Sequence, residues 1–337
     1  MATTTKTSKS KSKLPVDKVL DVLKSGKESA KSQQEPVFVG IHVCEGAPAD
    51  ITLAVKEAFL PQMPDGYVSV TSSERTTVPQ GFSPDVCVVI VGTEAREAAS
   101  MATSFVRLGV PVALVAQSTL DVPRLDLGDE QEALVSTVAA TSVDALMQKL
   151  AEWLVRSSEK SLSMAAHFPF CRKAKVSDLI NACSLQNAGV GAVSLIPGAD
   201  LPVMTANQAK LALDIAAAHG EGLSAGRAVE LAGVVGAGFA YRQVARTVLG
   251  AIPVAGIAIK AVMGYAGTQA TGRAVATKLA ASKGDGTDVR ARAEAAANVV
   301  RDMRSRIGTP SLPKAQGKGS GKAQSDASSG GEYVKIG

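Results

Sequence analysis

The side chains able to do chemistry are three histidines, four cysteines and a few acids set in apolar surroundings. His42 falls in a strand-like run, and His167 and His219 fall near helix ends, widely separated along the chain. They form no H-E-x-x-H pair, and there is no D-x-D-x-D-G loop or G-x-S-x-G elbow. Each histidine is expected to be structural, and no metal site or catalytic triad is expected. Cys44, Cys87, Cys171 and Cys183 form no C-x-x-C pair. Cys44 and Cys87 sit in apolar runs and read as buried reduced thiols. Asp178, Asp200 and Asp214 are acids in an apolar block. Asp200 precedes Leu201-Pro202, where Asp as N-cap and Pro in the first turn suit a helix start. Arg242 and Arg246 stand one helical turn apart beside Tyr241, and Lys260 interrupts the apolar run 252–266. Such charges either pair with Glu230, Asp214 or Asp200, or meet a lipid phosphate or a partner's carboxylate.

Phosphate chemistry needs a glycine-rich turn after the first strand, with Lys and Ser/Thr at set spacing. The equivalent turn, His42 to Asp50, has one glycine, no lysine and the acidic Glu45. It should repel phosphate. Gly236-x-Gly238 lacks a third glycine and follows no strand. The sequence therefore predicts a non-enzyme with no cofactor.

Two kinds of element must position these residues. Between Pro36 and Ser157 the period alternates between strand and helix. Strands are predicted at 37–43, 67–70, 85–92, 110–116 and 133–137. Helices are predicted at 49–60, at 94–108 with Thr93 as cap, and from Ser142 or Asp144 to Arg156. Alternation of this kind gives β-α-β units and a small doubly wound, mostly parallel sheet. From Glu159 strand signals vanish. Helices are predicted over 159–185 with a break at Pro169, over 202–218 with Gly220 and Gly222 at the end, from Ser224 to about 249, from 253 to about 281, and over 288–306. The fold class is thus α/β plus all-α. Its parts are a Lys/Ser-rich tail (1–35), the α/β domain (36–157), an Ala/Gly-rich helical domain (158–306) and a second tail (307–337). Both tails are expected to be disordered, although the apolar patch at 14–23 suits a short helix.

Glycines 189, 191, 233, 236, 238, 250, 256, 264, 267 and 272 fall within the predicted helical block. Each costs up to ~1 kcal/mol against Ala in a helix interior, so they suit close helix approach, in a tight bundle or a membrane. The runs 179–199 and 248–267 are borderline in length and apolarity for a span. Amphipathic or hairpin-like membrane contact is the expectation, with a plain helical bundle as the alternative.

Composition agrees. Apolar residues are 46% and aromatics 4%, so cores must rest on Val, Leu, Ile and Ala. The net charge is +5 and the pI about 9.0. The surplus sits at the ends: residues 1–35 hold eight lysines against four acids, and 283–337 hold ten Lys/Arg against six acids. Basic ends suit anionic lipid or simple solubility. Without interleaved stacking aromatics, nucleic acid is disfavoured as a partner. The N-terminus has no apolar h-region for a secretory signal, so a cytoplasmic setting is expected.

Two stretches carry resemblances. Strand order and the runs Asp85–Val91, Pro111–Gln117 and Ser136–Leu150 resemble a shrunken GTPase without its phosphate and base motifs, and a generic Rossmann-like α/β domain reads as well. The second stretch comprises Ile196-Pro197-Gly198-Ala199-Asp200, Asn207-Gln208, Gly236-x-Gly238-Phe239, Arg242-x-x-x-Arg246 and Lys260-x-x-x-x-Tyr265-x-Gly267-Thr268. Over about residues 160–282 this pattern resembles the bacterial domain-of-unknown-function family numbered 697. The resemblance implies a bacterial cytoplasmic protein associated with the inner membrane, sometimes joined to GTPases, and it assigns no catalytic residue. The resulting expectation is a non-enzymatic scaffold or membrane-associated interaction module. Its expected partners are a membrane surface or a protein, such as a GTPase, with homo-oligomerisation open. The alternative is a nucleotide- or small-ligand-binding α/β protein without hydrolysis, using the loops after Val43, Val91 and Ala116.

Overall fold

The computed structural model describes residues 16–73, 83–193, 201–222 and 257–283. Five strands form one all-parallel sheet: β1 (Val37–Val43), β2 (Gly66–Ser72), β3 (Val86–Ile90), β4 (Val112–Ala116) and β5 (Val135–Ala139). Their order is β2-β1-β3-β4-β5. β3 is central, and β1 lies between β2 and β3, with Val37 beside Gly66 on one flank and Val39 beside Val86 on the other. Every residue of β3 and β4 is buried. That explains their unbroken apolar runs, Val/Ile/Leu/Ala with Cys87, since a parallel sheet is covered on both faces.

Alternation along the strands separates those faces. Val86, Val88 and Ile90 point toward α2 (Ala49–Ala58) and α5 (Val143–Ser157), together with Ile51, Val55, Leu146, Leu150 and Leu154. Cys87 and Val89 point the other way, toward Met101, Ala102, Phe105 and Val106 of α3 (Ala95–Arg107). The predicted strands and helices of this region all form. Ser142 caps α5, its hydroxyl accepting the Ala145 N–H at 3.3 Å. Thr93 does not cap α3. Glu94 occupies that position with no side-chain cap bond, because the Thr93 hydroxyl instead donates to Glu45 O at 3.2 Å. A short helix α4 (Asp129–Glu132) precedes β5.

A helical layer continues from α5. Helix α6 (Ser161–His167) leads into a 3-10 turn at Pro169–Cys171 and then α7 (Arg172–Val193), so the break falls where Pro169 predicts it. Helix α8 (Leu201–Ala218) ends at Gly220, whose φ is +73°. The last described helix, here α9, runs Ile257–Lys283. Phe59 packs edge-to-face on Phe168 and Phe170 at ring-centroid distances of 5.1 and 4.9 Å. One cluster of buried side chains runs from Val37 and Ile41 through Leu154, Phe168 and Ile180 to Leu211, Val275 and Leu279.

Within the stretch 1–35, expected to be disordered apart from a short helix, the described residues form a longer element, α1 (Val16–Gln33). It is held by distant partners. The Ser29 hydroxyl donates to Asp214 Oδ1 on α8, and the buried Ser163 hydroxyl on α6 donates to Glu35 O at 2.6 Å. The helices predicted over 224–249 and 288–306 lie outside the described residues. Among the described residues no helix is long and apolar enough to cross a membrane.

Candidate functional site at the sheet switch point

In a 2-1-3-4-5 sheet the connections from β1 and β3 leave in opposite directions, and ligands of such folds bind in the crevice that opens there. Here that crevice holds His42, Cys44 and Glu97. His42 and Cys44 are two apart at the end of β1, so they share a face. Glu97 lies in the first turn of α3, which starts five residues after β3. His42 is fully buried, Cys44 is 2% exposed, and the Glu97 side chain is 11% exposed.

Their hydrogen bonds join three strands' ends. The Glu97 carboxylate accepts from His42 Nε2 at 2.9 Å through Oε1 and from the Glu45 N–H at 2.9 Å through Oε2. The Ser73 hydroxyl also reaches it from beyond β2. Burial alone would raise the Glu97 carboxyl; the Glu45, His42 and Ser73 bonds outweigh it and hold the group below its ordinary value. His42 Nδ1 meets Thr71 Oγ1 of β2 at 2.8 Å. With Nε2–H donating to Glu97, Nδ1 accepts a hydrogen bond from the Thr71 hydroxyl. Burial, then the nearby Glu97 charge, push the Cys44 thiol up to about 12, against a lowering bond from the Gly92 N–H. Cys44 is therefore an inert thiol in this arrangement.

The loop after β1 closes over the crevice. A Cβ placed on Gly92 would lie 1.9 Å from Glu45 O, so only glycine allows this approach. Gly46 turns the loop at φ +71°, and the Thr93 N–H donates to Glu45 O at 2.9 Å. Nucleotide-binding folds offer the N–H groups at this place to phosphate. Here Glu45 N–H and Thr93 N–H are already bonded to the chain's own oxygens. Glu45, in the loop after β1, and Glu94, just before α3, are both exposed. Below the loop, a shallow groove is lined by Val43, Ala47, Thr52, Leu53 and Lys56.

Sequence reasoning took His42 and Cys44 one at a time as buried structural residues, and their burial agrees. It missed their convergence with Glu97. The signal present was His-x-Cys at a strand's carboxyl end. The glutamate could be added only by knowing that β3 lies beside β1. The loop after Ala116, expected to contribute, leads into a 3-10 turn at Thr119–Asp121 capped by Ser118.

The motif residues of the helical block converge elsewhere. The Thr268 hydroxyl on α9 donates to Gly264 O at 2.7 Å. It accepts from Asn187 Nδ2 on α7 at 2.9 Å and from Gln208 Nε2 on α8 at 3.0 Å. Asn207 Nδ2 donates to Asn187 Oδ1 at 2.8 Å. Thr268, Asn187 and Gln208 are fully buried. Gly264 makes room for this hub, since a Cβ there would lie 2.5 Å from Asn187 O. Three helices thus share one saturated hydroxyl, which is packing chemistry. Lys260 lies on the first turn of α9. Pro197, Gly198, Asp200, Gly236, Gly238, Arg242 and Arg246 lie outside the described residues. No family model, no curated protein and no solved structure matches the chain.

Proposed function

We propose that this chain is a non-enzymatic interaction module in which the α/β sheet is a rigid platform for the helical layer. The observation carrying this reading is the self-closed switch point. The loop N–H groups that would cradle phosphate are bonded to Glu45 O and Glu97. The helical layer supplies the binding surface: α7 and α9 leave Leu185, Val193, Val262 and Tyr265 well exposed, at 66, 79, 64 and 38%. A membrane surface or a protein is the partner, and the resemblance over 160–282 adds a GTPase acting in trans as the protein class.

The direct test is a melting curve with GTP, GDP, ATP and phosphate at millimolar concentration. A ligand at a hundred times its Kd adds about 2.7 kcal/mol, several degrees for a chain of this size. An unmoved midpoint supports the module; a shift of several degrees with any nucleotide overturns it in favour of a ligand-binding α/β protein. Fractionation with carbonate and high-salt washes then separates the partner classes. Retention through both washes indicates inserted helices, release by salt alone indicates a peripheral contact through charge, and recovery in the supernatant throughout ends the membrane reading and turns the search to protein partners and ligands.

A further inference from the structure

We propose that His42 Nε2, Cys44 Sγ and a Glu97 carboxylate oxygen form a binding site for one divalent cation of the zinc class. One ring nitrogen of His42, Cys44 Sγ and a Glu97 carboxylate oxygen all lie within 4.8 Å of one another, and Nε2 is the nitrogen that faces Glu97, at 2.9 Å. Tetrahedral zinc, with Zn–N near 2.0 Å and Zn–S near 2.3 Å, requires donor separations of about 3.3–3.7 Å. Movements of about an ångström close the set, and His42 and Glu97 at 2.9 Å need only part slightly. One nitrogen, one sulfur and one oxygen suit zinc or cobalt and exclude magnesium and calcium, which demand oxygen ligands.

The support around the three donors fits the same reading. A ligating histidine usually donates its second ring N–H to a fixed acceptor. Thr71 Oγ1 stands 2.8 Å from His42 Nδ1, and Ile41 O stands 3.5 Å from that hydroxyl. When Nε2 gives its lone pair to the ion, its proton is lost and Nδ1 carries one. Nδ1–H then donates to Thr71, whose hydroxyl turns to Ile41 O. The thiol proton of Cys44 leaves to solvent, so each ion bound releases one proton. Three protein donors leave a fourth position for water. Glu97 is the partly exposed member, so the ion enters beside it.

The test is cobalt titration of the full chain, stripped with chelator and kept reduced by a phosphine. One cobalt per chain should give the near-ultraviolet thiolate-to-cobalt charge-transfer band and the visible bands of four-coordination. Zinc should bleach them, and millimolar magnesium should leave them unchanged. Cys44→Ser should lose the charge-transfer band, while Cys183→Ser on α7 keeps it. Glu97→Gln should weaken cobalt binding by about tenfold or more. A histidine–glutamate bond beside an idle thiol predicts no thiolate band in the wild-type chain, and that result overturns the proposal. A band that survives in Cys44→Ser, or that magnesium abolishes, also overturns it. If Cys44→Ser does not fold, Glu97→Gln decides: unchanged affinity overturns the site and about tenfold weaker binding supports it.

Discussion

Glu97 accepts from three donors, two at the end of β1 and one beyond β2. Glu97→Ala leaves the Glu45 N–H and the buried His42 Nε2–H without their acceptor, and a loss of about 1–3 kcal/mol in urea unfolding is expected. Glu97→Gln keeps an acceptor oxygen and should cost less than half of that. Thr268 has the same character in the helical layer. Thr268→Val strands the Asn187 donor and removes one Gln208 contact, with about 2–3 kcal/mol lost, whereas Thr268→Ser should stay within about 1 kcal/mol. These sites were unequally legible. Asn207-Gln208 and Thr268 stood out in sequence as parts of the family-like pattern over 160–282, and the burial of Gln208 and Thr268 in an apolar block demands partners. Glu97 did not stand out, because glutamate in a first helical turn is common. Its role depends on β1 and β3 being neighbours, a relation of 55 residues that no local spacing encodes.

Among the elements, the glycines divide into two kinds that sequence treats alike. Gly264 and Gly272 face α7, where an added Cβ would meet Asn187 O at 2.5 Å and Ile180 Cγ1 at 2.6 Å. Gly264→Ala should therefore push α9 away and cost about 1–3 kcal/mol. Gly189, inside α7, would place its Cβ in open space, so Gly189→Ala should stabilise by up to about 1 kcal/mol. Opposite signs in thermal melts check the packing directly. The clamp between α1 and α8 adds a pH dependence. Burial raises the Asp214 carboxyl despite the Ser29 hydrogen bond and the charges of Lys210 and Lys175. The folded chain then holds this proton more tightly than the unfolded chain. Stability is lost as pH rises from the ordinary carboxyl value of about 3.9 through the raised one. Asp214→Asn should lack this slope, so the gap in melting temperature between variant and wild type should grow as pH rises from about 4 to about 7. The strands were readable because Val- and Ile-rich runs bounded by turns have few other solutions. The length of α1 was not, since its lysine-rich sequence shows only a weak apolar face and the partner on α8 is distant in sequence.

Over the whole molecule, sheet and helices share their interior. Phe59, Leu150 and Leu154 pack in one cluster with Met164, Phe168, Cys171 and Leu211. A fragment ending at Ser157 would expose that surface, so residues 34–157 alone should show little cooperative unfolding by circular dichroism, while the full chain melts in one transition. A fragment with a sharp melt of its own would show the sheet to be self-sufficient. The Ser29–Asp214 bond spans 185 residues and ties the first helix to one made far later. At a ribosomal pace of about 5–20 residues per second, α1 waits about 10–40 s between its own synthesis and that of its acceptor. Through that interval α1 stands in the nascent chain without its partner on α8. Chaperones that act during translation would meet this protein there.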